Sequence, residues 1–108
     1  MDREREERIA RNEAAFRKVN EAIAAGRDTE GHGRVAFLCE CGALGCNRLV
    51  ELSPPEYEGV RADPRRFLLI EGHEEPEVEE VVEVHDRYIV VAKREPTAAI
   101  VEATDPRS

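Results

Sequence analysis

The chain has 108 residues, 41% hydrophobic and 37% charged, with a formal net charge of −8 at pH 7. That length is one domain with a modest core, and with no Trp, three Phe and two Tyr the packing falls to Val, Ile, Leu and Ala. The acidic balance, with no basic stripe to reverse it, argues against nucleic acid and anionic membrane as partners.

The opening segment, MDREREERIARNE, is densely charged and is no signal peptide. No apolar stretch reaches the length of a membrane span. The expected compartment is the cytoplasm, where thiols stay reduced.

Residues 3 to 25 read as one long helix, with Gly26 as its stop. Ile9, Phe16 and Ile23 recur in heptad spacing, with Val19 between them and Asn12 at the other matching position. This stripe is the expected packing face. Glu4 with Arg8, Glu7 with Arg11 and Glu13 with Arg17 stand four apart in the favourable order. The helix, residues 1–26, either packs on its own domain of residues 27–108 or docks on a partner protein or a second copy. The first turns, before Ile9, have nothing apolar to bury.

The segment RDTEGHGR is a loop around His32, and VAFLC and RLVEL are strands joined in a hairpin. Ser53, Pro54 and Glu56 form a capping box with a proline start, so a short helix runs from there and ends before Pro64. Its expected core face is Tyr57, Val60 and Ala62 or Pro55. RFLLI is a third strand. Pro76 can open a helix with Val78, Val81 and Val82 on one face, although the β-branched content favours a strand. RYIVVAKR is a strand and PTAAIVEA a last helix. The expected fold is α+β: a long N-terminal helix, a small and partly antiparallel sheet of about four strands, and short helices.

The connection of the first hairpin, LCECGALGCN, holds all three cysteines of the chain. Cys39 and Cys41 are two apart, so in extended backbone their thiols share a side. Gly42 and Gly45 let the chain turn back and bring in Cys46. Zinc takes four ligands in a tetrahedron and favours Cys and His. His73, beside Gly72 just past the third strand, is the expected fourth ligand. His32 is the runner-up, and His85 is expected as a partly buried structural histidine. The alternatives for the cluster are buried core thiols or a redox site closing Cys41 or Cys39 onto Cys46.

Other chemistry finds less support. The His73-Glu74 pair matches the start of a deaminase motif, but the cysteines lie upstream of it at the wrong spacing. A catalytic zinc on the three cysteines and a water, with Glu74 or Glu75 as base, is the only hydrolytic arrangement available. No phosphate loop follows a strand, and the serines are only Ser53 and Ser108. Residues 71–84 carry seven Glu and no Lys or Arg, either a solvated face or a docking surface for a basic partner.

The segments RNEAAFRKVNEAI, FLCECGALGC, ELSPPEYEGVRADPRRFLLIEGHEEPEVEEVV, DRYIVVAKR and TDPRS together resemble a group of small uncharacterised bacterial proteins. That group has an Asn-Glu-x-x-Phe-Arg-x-Val-Asn-Glu helix, a Cys-x-Cys-x4-Cys cluster and a Gly-His-Glu segment. The resemblance covers the chain from Arg11 onward. It implies Cys39, Cys41, Cys46 and His73 as the matching metal positions and implies no activity. The sequence therefore points to a small cytoplasmic interaction or regulatory module stapled by one structural Zn²⁺ at those four residues. A thiol-based redox or metal-responsive switch is the alternative, and a zinc-dependent hydrolase the third reading.

Overall fold

The computed structural model describes residues 3–26, 33–41, 43 and 46–107. The elements run α1 (Arg3–Ala25), β1 (Val35–Leu38), β2 (Leu49–Leu52), α2 (Pro54–Arg61), β3 (Arg66–Leu69), β4 (Glu79–Val84), β5 (Ile89–Lys93) and α3 (Thr97–Ala103). The α+β class and the long first helix are as expected. In place of one sheet of about four strands, five strands among the described residues form two antiparallel sheets, the β1–β2 hairpin and a second sheet in the order β3-β5-β4.

The hairpin sets Val35 opposite Leu52 and Phe37 opposite Val50. Phe37, Val50 and Leu52 are buried while Ala36, Leu49 and Glu51 face out, the period of two of a sheet with one covered face. β5 is the central strand of the second sheet, and its Ile89, Val90 and Val91 are all buried.

The residues after Pro76 form a turn and then β4, which corrects the expected helix over Val78, Val81 and Val82. β4 pairs with β5, and its register shifts between Val81 and Glu83. This bulge sets Val82 out of step with the ladder, and it packs against the core while Val81 is exposed. Two adjacent valines with a broken alternation imitate a helical face, but β-branched side chains fit the pleat better.

α2 starts as its sequence dictates. The Ser53 hydroxyl accepts from the Glu56 N–H at 3.2 Å, and the Glu56 carboxylate accepts from the Ser53 N–H at 2.8 Å. Ser53→Ala is expected to cost about 1 kcal/mol, read as a lowered urea midpoint at unchanged slope. The buried face of α2 is Pro54, Tyr57, Val60 and Arg61. Ala62 and Pro55, expected inside, are exposed.

α1 packs on α3 and β1 with a face the heptad spacing did not mark. Its buried residues are Ala10, Glu13, Arg17 and Asn20. Ile9, Phe16 and Ile23 are only half-buried, and Val19 is 46% exposed. The correction has an electrostatic cause, because each inward polar side chain meets a buried partner. Glu13 faces Lys93 at 2.6 Å. Arg17 donates to the carbonyls of Pro64, at 2.9 Å, and Arg66, and stacks 3.7 Å over the Phe67 ring. Asn20 pairs with the Leu38 backbone in both directions, accepting its N–H at 2.7 Å and donating to its carbonyl at 2.9 Å. Glu13 and Arg17, expected to pair with each other, are thus committed to separate partners, while Arg8 and Arg11 have no carboxylate partner among the described residues.

Candidate metal centre

The cysteine loop grows out of the hairpin. The Cys39 N–H donates to the Arg48 carbonyl at 3.0 Å, one rung beyond the β1–β2 ladder. The Cys46 N–H closes a turn onto the Ala43 carbonyl at 3.1 Å. Gly42 and Gly45, read as turn-makers, lie outside the described residues, as does His32.

Between the two first thiols stands Glu40, which is fully buried. Side chains of extended backbone alternate, so Glu40 points away from Cys39 and Cys41 and into the protein. Its carboxylate accepts from Asn20 Nδ2 at 2.8 Å, from the Tyr57 hydroxyl at 2.9 Å and from the Leu68 N–H at 3.1 Å. Its own N–H donates to the Leu68 carbonyl at 2.7 Å, and Arg17 Nε lies 4.0 Å away. One side chain thus anchors the loop to α1, α2 and β3. A glutamate between two cysteines gives no sequence sign of this, since it reads as a solvent-facing charge.

The second arm of the site follows β3. The Ile70 N–H donates to Cys39 Sγ at 3.3 Å. The chain then turns through Gly72, whose φ is +92°, and the His73 N–H closes onto the Ile70 carbonyl at 3.0 Å. A residue at that φ in the third position of such a turn is best a glycine. The turn delivers the His73 ring to the cysteines. His73 Nδ1 lies 3.6 Å from Cys39 Sγ and 3.7 Å from Cys46 Sγ.

One ligand atom from each of Cys39, Cys41, Cys46 and His73 lies within 4.8 Å of all the others, so the four could hold a metal ion. Two of the spacings can be compared with those of a tetrahedral site. A tetrahedron with Zn–S near 2.3 Å and Zn–N near 2.0 Å separates nitrogen from sulfur by about 3.5 Å, and the two His73 distances, 3.6 and 3.7 Å, are close to it. The electrostatics favour a thiolate at Cys41. Cys41 is pushed down to about 4, first by the hydrogen bond from the Cys39 thiol and then, against the opposing cost of burial, by the Ala43 N–H and His73. Cys39 is pushed up, as the donor to Cys41 and by burial. Of these two thiols, Cys41 is thus the one whose thiolate is favoured and buried Cys39 the one whose proton is held more firmly.

Burial is graded across the site. Cys39 is buried, while Cys41, Cys46 and His73 are half-buried. Cys41 and His73 line a cleft of about 420 Å³ whose opposite wall is the start of α1, with Arg5, Arg8 and Asn12. Lys93 lies in the same lining. His85 is remote in role: it is exposed, stacks on Tyr88 with ring centroids 4.3 Å apart and meets Glu83 at 2.8 Å. The expected partly buried position on a helix face is thereby corrected, because the segment is a strand end.

No family model matches the chain, and comparison with curated proteins and with solved structures gives no match either. Among the described residues, no helix is long and apolar enough to cross a membrane.

Proposed function

We propose that this protein is a zinc-stapled interaction module. Cys39, Cys41, Cys46 and His73 hold one structural Zn²⁺, and α1 is the partner-facing element. The observation that carries the reading is the convergence of three thiols and one imidazole nitrogen, all within 4.8 Å of one another, with His73 Nδ1 3.6 and 3.7 Å from two of the sulfurs. Four protein ligands fill the coordination shell and leave no position for a hydrolytic water, which supports a structural site over the zinc-hydrolase reading. The ion would join the hairpin loop to the turn after β3, and a core this small gains from such a crosslink.

The test is metal analysis of protein purified without chelator. One zinc per chain is expected, falling to a small fraction in Cys46→Ser and in His73→Ala. Metal-free native protein, or full zinc in both variants, would overturn the site. Removing zinc with a chelator is expected to lower the thermal midpoint and to loosen the loop and the Gly72 turn first, read by hydrogen exchange.

The second reading is a thiol switch at the same cysteines. It draws on the burial gradient, since Cys41 and Cys46 are the outward thiols and Cys39 is enclosed. Hydrogen peroxide would take two electrons from the Cys41 and Cys46 thiols, forming their disulfide and water and releasing the metal. Reversible release of zinc with that one disulfide by mass mapping favours the switch; retention of zinc in peroxide favours the staple.

A further inference from the structure

α1 turns a cationic and apolar stripe to solvent. Past the first two turns its carboxylates are drawn inward, Glu13 to Lys93 and half-buried Glu21 to Arg61 and Arg107. Arg8, Arg11 and Lys18 remain exposed, with no ion-pair partner among the described residues. Ala15, Val19 and Ala22 are exposed between them. At about 100° per residue these six positions share one face of the helix. The face is basic on a chain whose net charge is −8.

β4 presents the complement. It is an edge strand, bonded to β5 on one side only. Its Val81 and Val84 are 39% and 72% exposed. Residues 71–84, which lead into and form it, carry seven Glu and no Lys or Arg. Glu79 is buried against Lys93, while Glu77 and Glu80 are exposed. Glu80 meets exposed Arg94 at 3.8 Å, and half-buried Glu83 meets Arg66 at 3.1 Å. Such solvent-facing pairs hold weakly and can exchange partners. Among the described residues, the exposed large apolar side chains are Val19, Leu49, Val81 and Val84. All but Leu49 sit on these two faces of opposite sign.

We propose that the two faces cover each other between copies: the α1 stripe of one protomer docks on β4 of a second, and the reverse contact closes the pair about a two-fold axis. The proposal rests on reading α1 as a docking element and names what docks there. Two such contacts are needed to approach the roughly 800 Å² per partner of a stable interface. Nucleic-acid phosphates offer nothing to Val19, Val81 and Val84, and the overall charge opposes an anionic lipid surface. An exposed apolar edge strand is also a feature that proteins normally cover.

The test is sedimentation of the full chain at low and high salt. A dimer is expected that weakens as salt rises. Arg11→Glu with Lys18→Glu makes both faces acidic, and Glu77→Lys with Glu80→Lys makes both basic. Each double variant alone is expected to dissociate about tenfold more readily or worse. Mixed together they restore both contacts and should form a heterodimer. A monomer at every concentration, variants that dimerise like the parent, or a mixture that stays monomeric would each overturn the proposal. So would a monomer whose α1 face binds anionic vesicles or an acidic helical peptide instead. Zinc is measured on the same samples: a monomer with full zinc removes the dimer and keeps the staple, and a dimer without zinc does the reverse.

Discussion

Glu40→Ala is expected to be the most damaging single change outside the cysteines, costing about 3–5 kcal/mol. The carboxylate is fully buried and accepts from Asn20, Tyr57 and the Leu68 N–H. Removing it takes the partner of the Tyr57 hydroxyl and of the Leu68 N–H, each then carrying its desolvation cost, and leaves Asn20 Nδ2 with only the Leu38 carbonyl. It also takes a carboxylate from beside Arg17, which is 1% exposed and whose other ion pair among the described residues is with Asp105, at 3.8 Å. The loss must spread to the metal centre, because Cys39 and Cys41 flank Glu40. Zinc affinity, measured by chelator competition, is expected to fall together with the urea midpoint. Tyr57→Phe deletes one of the same bonds without exposing the carboxylate and should cost about 1 kcal/mol with zinc affinity nearly intact. Full zinc affinity in Glu40→Ala would show that the loop is positioned by its cysteines alone.

Relative to Glu13→Gln, the parent protein is expected to lose stability as pH rises from about 5 to 8. Glu13, Glu79 and Lys93 form a buried group of two carboxylates and one ammonium. Burial pushes Glu13 up to about 8 against the opposing pull of Lys93. Burial also lowers Lys93, but the charges of Glu13 and Glu79 more than offset this and hold it above its ordinary value. A protonated Glu13 makes the group neutral, with Lys93 facing Glu79 as the charged pair. Glu13 Oε1 has no hydrogen-bond partner among the described residues, a poor setting for an ionised carboxylate. The folded state therefore holds a proton that the unfolded chain releases near 4.5. Native protein binds more protons than unfolded across that window, so the stability this proton provides is full below about 4.5 and is lost by about 8. The loss is on the order of a few kcal/mol. It is best read as the difference between parent and Glu13→Gln at each pH, where thiol titration cancels. A parent and variant that run parallel from pH 5 to 8 would show that Glu13 is ionised throughout.

The thiol cluster of the candidate metal centre was legible because its chemistry is local. Cys39 and Cys41 share a side by backbone alternation alone, and a hairpin on either side of the loop follows from the two short apolar runs. The Ser53 capping box and the arrest before Pro64 are likewise set by neighbours in the chain. The buried face of α1 was not legible. Glu13, Arg17 and Asn20 on a helix read as solvent-facing, and Ile9, Phe16, Val19 and Ile23 read as core. The three polar residues are buried, while Ile9, Phe16 and Ile23 are half-buried and Val19 exposed, because Lys93, Glu40 and Asp105 wait at distant positions, with Glu40 hidden between two cysteines and Lys93 at the end of a strand. β4 was misread for a related reason, as its bulge breaks the alternation that marks a strand.

What the sequence by itself determined is the inventory: a long first helix, a hairpin whose loop carries three thiols, a glycine turn carrying a histidine, and an acidic surplus. Each follows from interactions within a few residues. What only the tertiary structure decided is the pairing. It brought His73 to the thiols through the turn that Ile70 and Gly72 build beside Cys39. It turned α1 so that its charges went inward and part of its heptad stripe, Val19 above all, stayed out. The physical reason is that a buried charge is tolerated only opposite its partner, and that partner is fixed by the packing of segments far apart in the chain.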